Sequence, residues 1–339
     1  MQRAVQWAVG EGLTVNTSIG TTVWDLLTVA SARAGARIRV FLLVSEGESL
    51  DEARERAICE YGLDPALCEF VPVTCPAGDK RALMQARDQA LVAASRTLVA
   101  VSLRPRGSME SLVASAGPGV RVVRDFAITH SGRDEQLKYA LSADNLSAEA
   151  AAIGCQYLVH WTRTSNGPWP GEPVASFCRA VLDSDAYPRG AFAGVRNMLT
   201  TGRIAASPRH MPGNTPCVSF TGKSPLEFAP LMRWRARYRE MSFEPYGIGI
   251  ERSVALAAGL RAVSYGSARE VTPDAAPQWL RQSEGKLTAW RDEDEYRCLG
   301  DFALRSVPRE SLVLFCRTRA EAGSIARDFG VRAVAVCRE

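Results

Sequence analysis

A chain of 339 residues, 46% apolar and 23% charged, has the composition of a globular protein with room for two domains, not of a disordered one. Its formal net charge of +4 permits contact with nucleic acid or nucleotide phosphates without demanding it, and no run of 18 apolar residues is available to span a bilayer. The first residues, Met1-Gln-Arg-Ala-Val-Gln-Trp7, lack the apolar stretch of a signal peptide, so a cytoplasmic location with no membrane partner is expected.

The first part of the chain alternates in period. Strands are expected at 13–17, 38–44, 70–73, 97–102 and 120–123, with helices at 23–34, 51–61, 80–94 and 108–116 between them. Strands alternating with helices imply a mostly parallel sheet covered on both faces, and residues 1–128 read as a Rossmann-like unit. A polar linker is expected over 129–154, with a helix at 147–153. The remainder, 155–339, has Gly-, Pro- and Trp-rich loops and separated strand candidates at 156–161, 217–221, 247–250, 262–265, 299–304 and 312–316, with helices at 174–182 and 225–240. That texture predicts an α+β domain on a mixed or antiparallel sheet. The nine cysteines include no CxxC pair, and the spacings of Cys59, Cys68 and Cys75 fit no common zinc module, so no metal is expected. Most read as small buried hydrophobes in a reducing compartment.

In the first domain, Ser18-Ile-Gly20-Thr21-Thr22 lies between a strand and a helix. Backbone N–H groups at a helix start, beside hydroxyls, make a seat for a phosphate, and a helix-capping turn explains the same residues equally well. The stretch from Arg87-Asp88 through Ser95-Arg96 to Arg104-Pro-Arg106-Gly107-Ser108 joins a helix, a strand and a basic Gly turn. It resembles the Rossmannoid nucleotide-binding proteins related to DprA and the LOG enzymes. The resemblance implies a nucleotide or nucleotide-derived ligand near Ser18, Gly20, Thr21, Arg87 and Gly107.

Three islands in the second half place reactive side chains beside apolar runs: Tyr157-Leu-Val-His160-Trp161-Thr162, Cys217-Val-Ser219-Phe220-Thr221 and Glu293-Asp-Glu295-Tyr296-Arg297. Alternation along a strand sends neighbouring side chains to opposite faces, so one face anchors in a core while the other lines a cleft. The His-Trp-Thr run, followed by Val195-Arg-Asn-Met-Leu199-Thr-Thr-Gly202-Arg203-Ile204, resembles ADP-ribosyltransferases of the DarT-like and KptA-like kind. Pro245-Tyr246-Gly247-Ile-Gly249-Ile250, Val263-Ser-Tyr265 and Trp290 to Arg297 resemble AbiGi-like abortive-infection proteins of bacterial antiphage defence.

Together these imply NAD as the substrate and a nucleic-acid or protein acceptor. His160 and Thr162 would hold the nicotinamide ribose, Ser219 would pack against nicotinamide and Glu295, chosen over Glu293, would carry catalysis. Arg237 and Arg297 would contact phosphate, and Tyr246 would line the cofactor site. Two other readings stay open: a nucleotide-sensing module without turnover, and an NAD or nucleotide N-glycosidase. A catalytic Glu295 should face a cleft near His160; a structural one should face solvent or an arginine.

Overall fold

The computed structural model describes residues 1–44, 47–73, 80–130, 139–209, 211–236, 238, 240–266, 277–283 and 290–339. The chain forms two compact units: Met1–Arg133 with Glu172–Pro188, and Asp134–Gly171 with Arg189–Glu339. Its class is mixed α/β.

The first unit runs α1 (Gln2–Gly10), β1 (Val15–Ser18), α2 (Thr22–Arg33), β2 (Ile38–Leu43), α3 (Leu50–Tyr61), β3 (Cys68–Val73), α4 (Lys80–Ala93), β4 (Thr97–Val99), α5 (Ser108–Ala114) and β5 (Arg121–Val123). After a stretch of the other unit holding α6 (Ala148–Ala151) and β6 (Tyr157–Trp161), the chain adds α7 (Val174–Leu182). Every described strand pairing here is parallel: β1-β2-β3 form one sheet and β4-β5 another. Asn16 of β1 donates to Ser95 Oγ at 2.9 Å, two residues ahead of β4.

The alternation of β2 explains the layering. Ile38, Val40 and Leu42 pack with α2, α3 and α7, while Phe41 packs with Val73, Leu91 and Trp24. A strand buried on both faces reads as a continuous apolar run, as 40–43 does after Arg39. The expected strands and helices between 13 and 123 are present. Helix α3 is set by local signals: Ser49 and Glu52 form a reciprocal capping box at its start, and Gly62 closes it in the left-handed region.

The second unit continues from β6 with α8 (Ala191–Thr201), β7 (Cys217–Thr221), α9 (Pro225–Phe228), β8 (Trp234–Arg235), β9 (Glu240–Met241), β10 (Gly247–Glu251), α10 (Arg252–Ala257), β11 (Arg261–Ala262), β12 (Ser264–Gly266), β13 (Arg281–Ser283), β14 (Glu295–Leu299), β15 (Leu312–Cys316), α11 (Arg319–Phe329) and β16 (Arg332–Ala335). Seven strands form one mixed sheet, β11-β14-β7-β6-β10-β15-β16, in which only β15-β16 is parallel. One face carries Leu158, Val218, Phe220, Ile248, Tyr296, Cys298 and Leu314 against α8, α10 and α11. The other carries Val159, Trp161, Val313 and Phe315 against α6, Phe228 and Met232.

Two expectations for this unit are corrected. The segment 225–240 is not one helix. Pro230 lacks the N–H that a continuing helix needs, the chain tightens to a 3₁₀ turn over Ala229–Leu231, and the short hairpin β8-β9 follows. The strand placed at 299–304 lies earlier, in the Glu-Tyr-Arg island itself; Gly300, at φ +71°, turns the chain away. Segment 172–188 groups with the first unit, and α6, which lies within the helix expected at 147–153, packs in the second unit's core with Ala150 and Ile153.

Gly249 is a steric requirement. A Cβ there would stand 2.6 Å from Val313 Cγ1 and 3.0 Å from Phe315 Cε2 in the buried strand β15. Gly249→Ala is expected to cost roughly 1–3 kcal/mol in chemical denaturation, and adding Val313→Ala should recover part of that loss.

Candidate functional site

The three islands fold onto three adjacent strands. His160 is in β6, Ser219 in its neighbour β7, and Glu295 in the next strand, β14. Adjacency does not put them on one face. His160 is opposite Ile248 and lies 5.6 Å ring to ring from Phe220, both residues of the α8–α11 core. Thr162 lies two residues further on, and its N–H donates to the Tyr246 carbonyl. Tyr246 also faces that core, where its hydroxyl donates to Glu321 at 2.9 Å. Burial, followed by the Glu321 carboxylate, pushes the Tyr246 phenol up.

On β14 the alternation puts Tyr296 and Cys298 into the same core and turns Glu295 and Arg297 to the other face. Register pairs Glu295 with Thr221 and Arg297 with Ser219, so these four share a face. The structure therefore gathers His160, Thr162 and Tyr246 on one side of the sheet and Ser219, Glu295 and Arg297 on the other. Arg237 lies outside the described residues.

Glu295 faces an arginine. Its two carboxylate oxygens accept from Arg297 Nε at 2.8 Å and Nη2 at 2.6 Å. Arg297 is 2% exposed, and it also donates to the Trp279 carbonyl at 2.8 Å and to Gln282 Oε1 at 2.7 Å. Tyr265 of β12 accepts from the Glu295 N–H, so the β12-β13 ribbon that carries Tyr265 and Gln282 covers the pair. Every guanidinium nitrogen of Arg297 is thus committed within the protein.

The neighbouring carboxyl is different. Glu293 ends the 3₁₀ turn Trp290–Glu293 ahead of β14, and its backbone carbonyl accepts from Thr221 Oγ1. Burial, reinforced by the Glu295 carboxylate, pushes its side chain up to about 7, against the opposing pull of Arg235 and Arg297. Two polar atoms on the same sheet face, Ser219 Oγ and Trp161 Nε1, are buried without a hydrogen-bond partner among the described residues. An unsatisfied buried hydroxyl costs about 1–3 kcal/mol. Nearby, Glu240 draws Arg163 and Arg209 to 3.3 Å each, and Arg163 also feels Arg235 and Glu244.

β6 and β7 pair through a single register, Val159 with Thr221. Beyond it His160 Nδ1 reaches the Ser219 carbonyl at 2.8 Å, so this nitrogen carries the proton and the side chain takes the place of a ladder bond. Burial pushes the imidazole below its ordinary range, against the pull of that carbonyl. The unfolded chain then binds the extra proton below about pH 6.5, and stability is lost as pH falls through that window. Replacing His160 with the non-titrating donor Gln should flatten the acid limb of the denaturation midpoint measured from pH 8 to 5.

In the first unit, Ser18 Oγ donates to the Phe41 carbonyl at 2.7 Å. Gly20, at φ +88°, directs its N–H to Asp25 Oδ1 at 2.7 Å, which also accepts from Tyr61 at 2.8 Å. Thr21 precedes α2 without a side-chain cap. Sequence reasoning passed over Asp25, Arg163 and Glu240 and set Glu293 aside. The Glu-x-Glu spacing marked two acids two residues apart, but the fold decides which is neutralised. Comparison with family models, with curated proteins and with solved structures finds no match.

Proposed function

We propose that the second unit is an NAD-dependent ADP-ribosyltransferase. Its site lies on the face of β7 and β14 that bears Ser219 and Thr221, with Glu293 as the titrating carboxyl and the Glu295–Arg297 pair as its rigid floor. One observation carries the reading. The three islands, far apart in sequence, meet on consecutive strands; among the described residues the β7-β14 face carries an unpartnered buried hydroxyl, and the turn leading into β14 carries a carboxyl pushed up to about 7. Perturbed carboxyls beside unsatisfied polar groups mark sites where a ligand supplies the missing partner.

The chemistry follows. The bond between C1′ of the ribose and the nicotinamide nitrogen breaks, and its electron pair leaves with nicotinamide. The cationic ribose carbon that forms is stabilised by the ionised Glu293 carboxylate, which therefore acts already in nicotinamide release. An acceptor oxygen or nitrogen then bonds to C1′, and ionised Glu293 takes its proton. His160 acts through the backbone: by holding the Ser219 carbonyl it sets the height of β7. The first unit fits the Rossmann-like reading through its parallel pairings, and the setting in antiphage defence rests on the resemblance alone.

A second reading, a nucleotide-binding module without turnover, is favoured by one fact: both oxygens of Glu295 are occupied by Arg297. Incubating the full chain with NAD, alone and with DNA, RNA or lysate protein, separates the two. Nicotinamide release that disappears in Glu293→Gln supports the transferase, and the additive that stimulates it points to the acceptor. Nucleotide binding with no release under any condition supports the module.

A further inference from the structure

The turn between β1 and α2 is satisfied from within. The Gly20 N–H points at the protein's own Asp25 carboxylate, which is itself buried and bonded to Tyr61. An incoming phosphate would meet that carboxylate where the seat was expected, a like-charge contact in a partly desolvated place. An anion bound by this unit therefore needs donors beyond that N–H.

They stand at the carboxyl ends of β4 and β5. The chain leaving β5 folds back so that the Ile128 N–H donates to the Val101 carbonyl at 2.8 Å, just past β4. Between these two segments and α5 lies a cavity of about 560 Å³, lined among others by Ser102, Ser111, Arg124, Ile128, Thr129 and His130. Three properties of this cavity point to one ligand class. Its position, beyond the carboxyl ends of parallel strands, is where open α/β sheets hold ligands. Its volume lies in the range that takes a small organic molecule.

Apart from Glu110, its polar lining is hydroxyl and basic. Arg124 is exposed, and Arg104 and Arg106 stand in the loop that leads from the lining segment into α5. The lining carboxylate, Glu110, is bonded to the Arg106 N–H at 2.6 Å. Arginine presents a planar fork that matches phosphate oxygens, hydroxyls suit a sugar, and the exposed Ile128 offers an apolar surface for a flat ring. We infer that this cavity is the ligand site of the first unit and takes a phosphorylated small molecule of nucleotide size, with Arg124 as its phosphate contact.

Calorimetric titration of the full chain with AMP, ATP and adenosine tests this. AMP or ATP should bind, and adenosine, lacking phosphate, should bind at least about 10-fold more weakly. Arg124→Ala removes the cation and Ala127→Trp fills the space, and each should weaken nucleotide binding about 10-fold or more. Thr21→Ala, at the turn beside β1, should leave it unchanged. Far-UV circular dichroism and the thermal midpoint establish that the exposed substitutions leave the fold intact. Absence of binding by both nucleotides, or full binding by either cavity variant, overturns the inference. These ligands carry no nicotinamide, so the outcome is independent of turnover in the second unit.

Discussion

Replacing Glu293 with Gln is expected to lower the rate of nicotinamide release by about 10²–10⁴, the range typical of a lost general acid or base. The wild-type rate should climb as pH rises through about 7, where this carboxyl ionises, and level off above it. The residual rate of the variant should be flat across the same interval. A structural role would not reproduce that loss of a pH limb. The same group has a signature in stability. Its folded pKa is raised above the ordinary 4.5, so between about 4.5 and 7 the folded chain holds more protons than the unfolded one, and stability declines as pH rises through that window. Each pKa unit corresponds to about 1.4 kcal/mol, and with solvent screening at a partly exposed site the decline is on the order of 2 kcal/mol. Glu293→Gln should abolish it and be the more stable protein above pH 7. A wild-type profile already flat from pH 4.5 to 7.5 would sink both expectations.

Arg297→Met is expected to cost about 3–5 kcal/mol in urea or guanidinium denaturation, among the largest losses available to a single substitution in this chain. The cost arises from what is left behind. Glu295, 9% exposed, would keep a buried charge with both of its guanidinium donors gone, and Gln282 and the Trp279 carbonyl would lose theirs. The double variant Glu295→Leu with Arg297→Met removes both charges and should recover most of that loss, because a well-packed apolar pair replaces a buried ion pair at little net cost. Additive losses in this cycle would show that the two residues do not act as one unit. The cycle also bears on mechanism. A pair that is only a floor permits nicotinamide release in the double variant, whereas a catalytic Glu295 does not.

The first unit was legible because its signals are local. Period-3.6 stretches alternate with short apolar runs, and a capping box at Ser49-Glu52 and Gly62 mark α3 without reference to anything distant. In the second unit the same rules misled where tertiary context overrode them. Glu295 and Arg297 are charged yet buried, so the period-2 signal of Tyr296 and Cys298 was hidden between them and the strand was read four residues too late. Helix α11 had its own signals, Thr318 with Glu321 at the start and Gly330 at the end, and was passed over. The site was half legible. Reactive residue types beside apolar runs located the three strands, but which face a residue occupies follows from register against another strand, and register is not written within either strand alone. His160 and Glu295 accordingly separate to opposite sides.

The insertion of 172–188 into the first unit fixes an order of events during synthesis. Ala175, Phe177 and Cys178 of α7 complete the apolar layer against Val29, Ile38 and Ala57, so that layer stays open until residue 182 has left the ribosome. By then 134–171, including β6, has already emerged, while its partners β7 and β10 are still unmade. A strand with Leu158, Val159 and Trp161 waits through that interval with both edges unpaired. A nascent chain stalled after residue 133 would display the bare face of α2 and β2, and one stalled after 188 would have buried it. Protease resistance of the first unit should therefore appear abruptly between those two lengths rather than when its last strand is complete.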